Sequence, residues 1–251
     1  MINSEYIYFL VFVLSSRLPF YSTEQKLTVR ELFIKLIIQL FPILFFSYKF
    51  NLILIVLALI AINVAEFILE EKQLKKGSSL NGLRTIEIVV TIIITSIIFS
   101  INSPMVLSDY ISTTLKAVKN NYIIKQNILS FNSNTVGIII LGVLFLLNEV
   151  NLPIRSLLTR LKVLPKKGTG NTDKNELNAG RVIGMVERIL VYIFVLGGEY
   201  AALGLILAAK AYARSKRMDD QDFAEYVLIG TLVSTAFALI IGLAVKYLIG
   251  F

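Results

Sequence analysis

The chain has 251 residues, of which 56% are hydrophobic and only 17% are charged. A soluble domain carries about a quarter charged residues, so this balance argues against one and favours a membrane protein. Cysteine and histidine are both absent, which excludes disulfides, Cys/His zinc sites and the usual general base near neutral pH. The net charge of +8 comes from basic residues at the ends of apolar runs, where the positive-inside bias explains it better than nucleic-acid binding.

Four apolar runs occupy the N-terminal part of the chain, at residues 6–20, 32–48, 52–69 and 86–101. Only three residues separate the second run from the third, which predicts an antiparallel helical hairpin. The fourth run is rich in Ile, Val and Thr, which form strands in water. A segment that faces lipid must, however, be a helix or part of a closed barrel, and the alternating pattern of barrel strands is missing. We therefore expect helices.

Two amphipathic segments flank the fifth apolar run, residues 136–150. The first follows Pro104, where apolar residues recur at spacings of three and four between Leu107 and Tyr122. The second begins at Pro153 and alternates leucines with Arg155 and Arg160. This pattern is typical of helices that lie at the membrane interface. A solvated charged face is the alternative for the second segment.

A polar stretch, residues 164–178, is the one clear linker. Its Gly-x-Gly has no preceding strand, so it does not match a phosphate cradle. We divide the chain into an N-terminal helical membrane region (1–163), a polar cytoplasmic linker (164–178) and a C-terminal helical membrane unit (179–251). The expected fold is all-α: a polytopic transmembrane helical bundle of about 6–8 membrane helices with one or two amphipathic interfacial helices.

Positive-inside counting places loops 21–31, 70–84 and 151–181 in the cytoplasm and the N-terminus outside. The apolar stretch 182–209 then has two interpretations. A single span has sufficient length but leaves Glu199 at the midplane without an obvious partner. A break at Gly197-Gly198 makes a hairpin of two short helices and keeps both basic ends cytoplasmic. We favour the hairpin.

Several polar residues recur at matching depths in the N-terminal runs. Four of them sit about four residues from the cytoplasmic end of their helix, about 6 Å into the span, and two lie one turn deeper. The set is Arg17, Lys35, Gln39, Asn63, Glu66 and Glu87. Three interpretations remain open: an interhelical salt-bridge set that fixes packing, a polar vestibule or ion path, and a carboxylate pair, Glu66 and Glu87, that performs acid/base chemistry or binds a hard cation with Asn63.

A second polar set lies among the apolar residues of the C-terminal part, where ionisable groups are expensive to bury. It comprises Arg181, Glu187, Arg188, Glu199, Lys210, Arg214 and Glu225. An antiparallel pair of helices centred on residues 219–222 sets Arg214 opposite Glu225, which predicts an ion pair. Small residues on the same helices allow close packing of membrane helices.

Three motifs in this C-terminal part resemble a known family. They read Gly180-Arg-Val-Ile-Gly-x-x-Glu187-Arg188, Tyr200-Ala-Ala-Leu-Gly-x-x-x-Ala-Ala-Lys210 and Ala224-Glu-Tyr-x-x-Ile-Gly-Thr-x-x-Ser234. Together they resemble the C-terminal third of a bacterial integral membrane family of unknown function, domain of unknown function 3307. The resemblance implies a polytopic inner-membrane protein without an established activity. Family members carry His and Asp on their first helices, where this chain has Leu14-Ser-Ser-Arg17.

These observations predict a multipass protein of the bacterial inner (plasma) membrane that is non-enzymatic and oligomeric: a small channel, a permeation component or a membrane-acting effector. The alternatives are a degenerate intramembrane metal-dependent hydrolase-like enzyme and a membrane scaffold for a cytoplasmic protein partner. The expected partners are the lipid bilayer and further copies of the chain, not nucleic acid. The sequence assigns no catalytic residue, cofactor or metal, because no nucleophile stands beside a base.

Overall fold

The computed structural model describes residues 4–20, 25–47, 50–76, 79–100, 107–119, 133–161, 174–215 and 221–250. Within these ranges the chain forms ten α-helices, and the only strand-like pairing is a bridge between Phe46 and Leu107. The helices are α1 (Ser4–Arg17), α2 (Val29–Leu40), α3 (Phe50–Lys75), α4 (Asn81–Ser100), α5 (Asp109–Lys119), α6 (Ser133–Leu144), α7 (Asn151–Arg160), α8 (Lys174–Gly197), α9 (Ala201–Arg214) and α10 (Gln221–Ile249). The chain divides into two compact units, Met1–Leu141 and Gly142–Phe251.

Four helical runs in the described part are long and apolar enough to cross a membrane. They are Asn51–Lys75, Asn81–Ser100, Asn134–Arg160 and Ala224–Ile249. Helix α1 has 14 residues and rises about 21 Å, which is shorter than the roughly 30 Å of a hydrocarbon core. The all-helical class is thus confirmed for the described residues, whereas six to eight membrane helices remain a prediction.

Helix α4 shows an inverted pattern of burial. Its buried face carries Arg84, Glu87 and Thr91, while Ile86 and Ile93 are 66% and 53% exposed. A helix on the surface of a soluble protein does the opposite, because it turns its apolar stripe toward the core. Apolar residues outside and polar residues inside are the arrangement expected when hydrocarbon surrounds a bundle.

Helices α2 and α3 form the predicted antiparallel hairpin. A short 3-10 turn, Phe41–Phe45, with Pro42 in its first turn, follows α2 before the chain enters α3. Lys35 contacts Glu66, and one turn further along α2 Gln39 contacts Asn63. The residue numbers rise on α2 as they fall on α3, so the two helices run in opposite directions.

A capping box fixes the start of α2. Thr28 Oγ1 accepts from Glu31 N at 3.3 Å, and Glu31 Oε2 accepts from Thr28 N at 2.7 Å and from Thr28 Oγ1 at 2.8 Å. These donors, the backbone N–H first, hold the pKa of the Glu31 carboxyl below its ordinary value. The box satisfies N–H groups that the first turn of a helix leaves without partners.

Replacing Thr28 with alanine is expected to lower the free energy of unfolding by about 1 kcal/mol at neutral pH. Because the folded pKa of Glu31 is depressed, the carboxylate's share of this stability is present above the unfolded pKa. It is lost as the pH falls through the folded pKa. Denaturation of both proteins in detergent between neutral and acidic pH tests this, and a difference in stability that grows on acidification would contradict it.

Helices α6 and α7 belong to one continuous helical run. A π-helical turn, Phe145–Glu149, joins them, and the whole run Asn134–Arg160 is 27 residues long. The second amphipathic segment, which the sequence places after Pro153, is therefore the C-terminal end of a membrane-length helix. Its apolar side is buried, with Leu152, Ile154 and Leu158 all inside.

Helices α8 and α9 form the hairpin favoured above, with the break at Gly198, whose φ is +78°. Glu187 on α8 forms an ion pair with Lys210 on α9, so α9 folds back along α8. Residues 164–173 of the predicted linker lie outside the described residues, and α8 begins at Lys174, inside the predicted linker range. The predicted domain boundary at this linker remains a prediction.

Candidate functional site: a buried charge network

The first unit brings together the four charged side chains that the sequence places at one depth. Each comes from a different helix, α1 to α4. Arg17 pairs with Glu87, and Lys35 Nζ lies 2.7 Å from Glu66 Oε2 and 3.4 Å from Glu87 Oε1. All four residues are at most 7% exposed. Glu87 thus accepts from two cations on two other helices and is the centre of the set.

Two buried amides lie one helical turn from Lys35 and Glu66. Asn63 Nδ2 donates to Gln39 Oε1 at 2.8 Å and to Leu59 O at 2.7 Å. Since Nδ2 has only two hydrogens, and Leu59 O can only accept, these bonds fix the orientation of both amides. Gln39 Nε2 and Asn63 Oδ1 have no hydrogen-bond partner in the described part of the chain.

The structure adds a third charge pair, which the sequence analysis missed. Arg84 Nε donates to Glu70 Oε1 at 2.7 Å, and both side chains are fully buried. Arg84 is tied to the first set through its carbonyl oxygen, which accepts from Arg17 Nη2 at 3.0 Å. Glu70 Oε2 also accepts from the backbone N–H of Leu27 at 3.0 Å. The network therefore extends to the segment that leads into α2.

The predicted loop 70–84 is too long, because Glu70 and Arg84 belong to the helices on either side of it. Helix α3 continues to Lys75 and α4 already begins at Asn81, so Glu70 and Arg84 are helical and inward-facing. The spacing was the available signal. Glu70 lies four residues after Glu66 on α3, and Arg84 lies three residues before Glu87 on α4. Each therefore lies on the same helix face as a residue of the predicted polar set.

Three cations and three carboxylates now form a set without net charge. They are Arg17, Lys35, Arg84, Glu66, Glu70 and Glu87. Burial of an isolated charge costs several kcal/mol, and mutual pairing is what makes it tolerable inside a membrane protein. The network therefore explains how six ionisable residues fit between helices whose outer faces are apolar.

Hydroxyl groups continue the network along α4. Thr91 Oγ1 lies 3.4 Å from Glu87 Oε1, and Thr95 Oγ1 lies 3.1 Å from the hydroxyl of Tyr6. Thr95 also donates to the carbonyl oxygen of Thr91 at 2.7 Å. We call Arg84, Glu87, Thr91 and Thr95 the polar seam. It covers about 17 Å of the helix axis.

The carboxylates of this network do not assemble a metal site. In the ranges that the structure describes, no group of three or more Asp or Glu side chains is arranged to hold a metal ion. Glu66 and Glu87 are each bound by a cationic side chain, which occupies the oxygens that a metal would need.

The C-terminal polar set is only partly brought together. Glu187 pairs with Lys210. Arg188 is buried, and its guanidinium donates to Leu146 O, Ser234 Oγ and Asn151 Oδ1. These three partners of Arg188 were not in the predicted set, because a backbone carbonyl and two neutral side chains leave no charge signal in the sequence.

The other members of that set lie apart. Glu199 lies in the turn between α8 and α9 and is exposed within this unit, next to the break that the favoured hairpin places at Gly197-Gly198. Glu225 is exposed and accepts from Gln221 at 2.9 Å. The side chains of Arg181 and Arg214 lie outside the described residues, and so does the predicted ion pair between Arg214 and Glu225.

In the residues that the structure describes, the fold and the network together define a class: an all-helical protein with four helices long and apolar enough to cross a membrane and a neutral set of buried charges. No family model matches the chain, and neither a curated protein nor a solved structure matches it. The function must therefore be argued from the chain's own residues.

Proposed function

We propose that the protein is a non-enzymatic permeation component that moves protons through its first unit. One observation carries the proposal. The polar seam and its partners connect buried proton-exchanging groups through side-chain contacts from Thr91 to Glu66. Chains of carboxylates and their partners inside membrane helices typically mark proton or ion pathways.

Glu87 is the residue on which this pathway depends. It contacts Arg17, Lys35 and Thr91, and Lys35 in turn contacts Glu66. Lys35 can relay a proton between the two carboxyl groups. Its ammonium gives a proton to the ionised Glu66 carboxylate, and the neutral amine that results takes one from a protonated Glu87, since one oxygen of each lies within 3.4 Å of Nζ. Each such transfer leaves the net charge of the set unchanged, because one proton leaves Glu87 as one reaches Glu66.

The amide pair supports protons rather than metal ions as the permeant species. Gln39 Nε2 is a donor and Asn63 Oδ1 is an acceptor, and neither has a partner in the described residues. A donor and an acceptor together match a water molecule, which both donates and accepts. A bare cation suits only the acceptor. This position would extend the pathway by one turn beyond Glu66.

The same proposal covers the membrane in which the protein resides and its oligomeric state. The resemblance of residues 180–245 to the bacterial membrane family supports the inner membrane, and the positive-inside bias supports a cytoplasmic linker at 164–178. Exposed apolar side chains on the membrane-capable helices, such as Leu57 and Leu232, support contact with lipid or with further copies of the chain. A homo-oligomer in the bilayer is the assembly that we propose.

Proton flux into proteoliposomes tests the proposal. We expect the purified protein to acidify vesicles that contain a pH-sensitive dye when a potassium gradient and valinomycin impose a membrane potential. Glu87→Gln and Glu66→Gln are each expected to reduce the flux about tenfold or more, since loss of one member interrupts a relay. Both variants keep the shape of the side chain and one of its two acceptor oxygens.

Glu71→Gln is the matched control. Glu71 lies one residue from Glu70 on α3, but it is half-exposed and pairs with Lys26 and Lys75 at the surface. Its replacement should leave the flux unchanged. Circular dichroism and elution volume establish that each variant is folded. Wild-type flux equal to that of empty vesicles, or equal flux in folded Glu87→Gln, would contradict the proposal.

A further inference from the structure

The second unit holds a buried arginine whose hydrogen-bond partners are all neutral. Arg188 is only 4% exposed. Its Nε donates to Leu146 O at 3.0 Å, Nη1 to Ser234 Oγ at 3.2 Å and Nη2 to Asn151 Oδ1 at 2.7 Å. A guanidinium has five N–H bonds, so within the described part of the chain one on Nη1 and one on Nη2 remain for a further acceptor.

The π-helical turn is what positions Arg188. In an α-helix the N–H of Val150 would donate to Leu146 O, four residues earlier. Here Val150 N donates instead to Phe145 O at 3.0 Å, and Leu146 O accepts from Arg188. Such π-turns are frequent at functional sites. The local irregularity therefore fixes the guanidinium in one orientation rather than leaving it to extend toward the membrane surface.

A second cation lies close to the first. Arg155 on α7 is half-exposed and lies one helical turn after Asn151, the residue that accepts from Arg188 Nη2. Among the residues that the structure describes, neither arginine forms an ion pair, and the neighbouring carboxylate of Glu187 is already held by Lys210. Two guanidinium groups that lie close together, neither of them in an ion pair within the described residues, are an arrangement that an external anion stabilises.

Gly184 leaves the approach to Arg188 uncovered. It lies one turn before Arg188 on α8, and a Cβ atom built at this position would lie 3.6 Å from Nη1. A larger side chain would therefore lie against the guanidinium without a steric clash at its first carbon. The glycine thus offers a way to cover Nη1 while both arginines remain in place.

We propose that Arg155 and Arg188 bind a phosphate group. Guanidinium forks match the paired oxygens of phosphates, and basic pockets between membrane helices bind anionic head groups. The phosphate can come from an anionic phospholipid or from solution, and the chemistry of the site is the same in both cases. This site lies in the second unit and is independent of the proton pathway proposed for the first.

Thermal unfolding of the full-length protein in detergent tests the site. Phosphatidylglycerol added to the micelles is expected to raise the melting temperature more than phosphatidylcholine does. Arg155→Gln is expected to weaken the apparent affinity for phosphatidylglycerol about tenfold, the effect of losing one charge-assisted contact. Arg160→Gln is the matched control, because Arg160 is an exposed arginine on the same helix and should have no effect. Gly184→Leu should weaken binding as Arg155→Gln does.

The source of the phosphate is read from two arms of the same experiment. Stabilisation by inorganic phosphate at constant ionic strength assigns the site to a soluble anion, and stabilisation by phosphatidylglycerol alone assigns it to a head group. Either result supports the proposal if Arg155→Gln weakens the stabilisation about tenfold and Arg160→Gln does not. Equal losses in Arg155→Gln and Arg160→Gln would show diffuse surface charge and overturn the proposal. So would a melting temperature that neither probe changes.

Discussion

Lys35→Met is expected to lower the free energy of unfolding by about 3–5 kcal/mol, and Glu66→Leu added to it is expected to restore most of that loss. Lys35 is fully buried and lies 2.7 Å from Glu66 Oε2. Removing the cation alone leaves a buried carboxylate without its partner, which is the costly case for a buried pair. Removing both charges replaces the pair with apolar side chains of similar size, which is often neutral or stabilising.

Arg17 makes the double replacement tolerable. It pairs with Glu87, so Glu87 keeps a counter-charge after Lys35 is removed. Unfolding by a denaturing detergent, followed by circular dichroism, measures all three variants in one double-mutant cycle. Lys75→Met is the control, because the side chain of Lys75 is 74% exposed, and surface pairs contribute at most about 1 kcal/mol. A single variant as stable as this control would contradict the account of the network.

The same variants separate packing from transport. If the charges serve only to hold α2 against α3, the double variant Lys35→Met/Glu66→Leu should be stable and should retain its proton flux. If they also carry protons, it should be stable and inactive. The stability measurement is needed to interpret the flux measurement, since loss of flux in a stable protein is not a folding defect.

The central pairs of the first unit were predictable from the sequence because depth along a helix can be counted. Lys35, Glu66 and Glu87 lie at matching distances from the ends of their apolar runs, and hydrocarbon forces charges at one depth to pair. Glu70 and Arg84 escaped this reasoning because they stand at the ends of the runs. At those positions the sequence is equally consistent with a solvated loop. Only the structure, in which α3 and α4 include these residues, distinguishes a helix from a loop.

The second unit shows a different limit. The break at Gly198 was predictable, because two consecutive glycines interrupt an apolar run and one of them adopts a positive φ, +78°, which side chains with a Cβ rarely adopt. The partners of Arg188 were not predictable. They depend on a one-residue change of register at the π-turn that exposes Leu146 O to its guanidinium, and hydrophobic periodicity carries no trace of that change.

Glycines pack closely around one tyrosine in the second unit. Tyr192 on α8 is 1% exposed. A Cβ atom built on Gly142 would lie 2.8 Å from Tyr192 Cζ and would overlap its hydroxyl, and one built on Gly242 would lie 3.6 Å from Cδ2 and 2.8 Å from Val195 Cγ1. The ring is therefore confined between α6 and α10 and has little room to move aside.

Gly142→Ala is accordingly expected to destabilise the protein by about 1–3 kcal/mol, the usual cost of overpacking a confined site. This change is opposite in sign to the intrinsic preference, since Ala stabilises a helix relative to Gly by about 1 kcal/mol.

Gly204→Ala is the control. Gly204 lies inside α9 with no atom within 4 Å of its Cβ position, so only the intrinsic gain should remain. Tyr192→Phe, which removes the overlapping hydroxyl, should recover part of the loss when combined with Gly142→Ala. Detergent unfolding of the four variants measures these differences, and a Gly142→Ala protein as stable as Gly204→Ala would show that the ring is not confined.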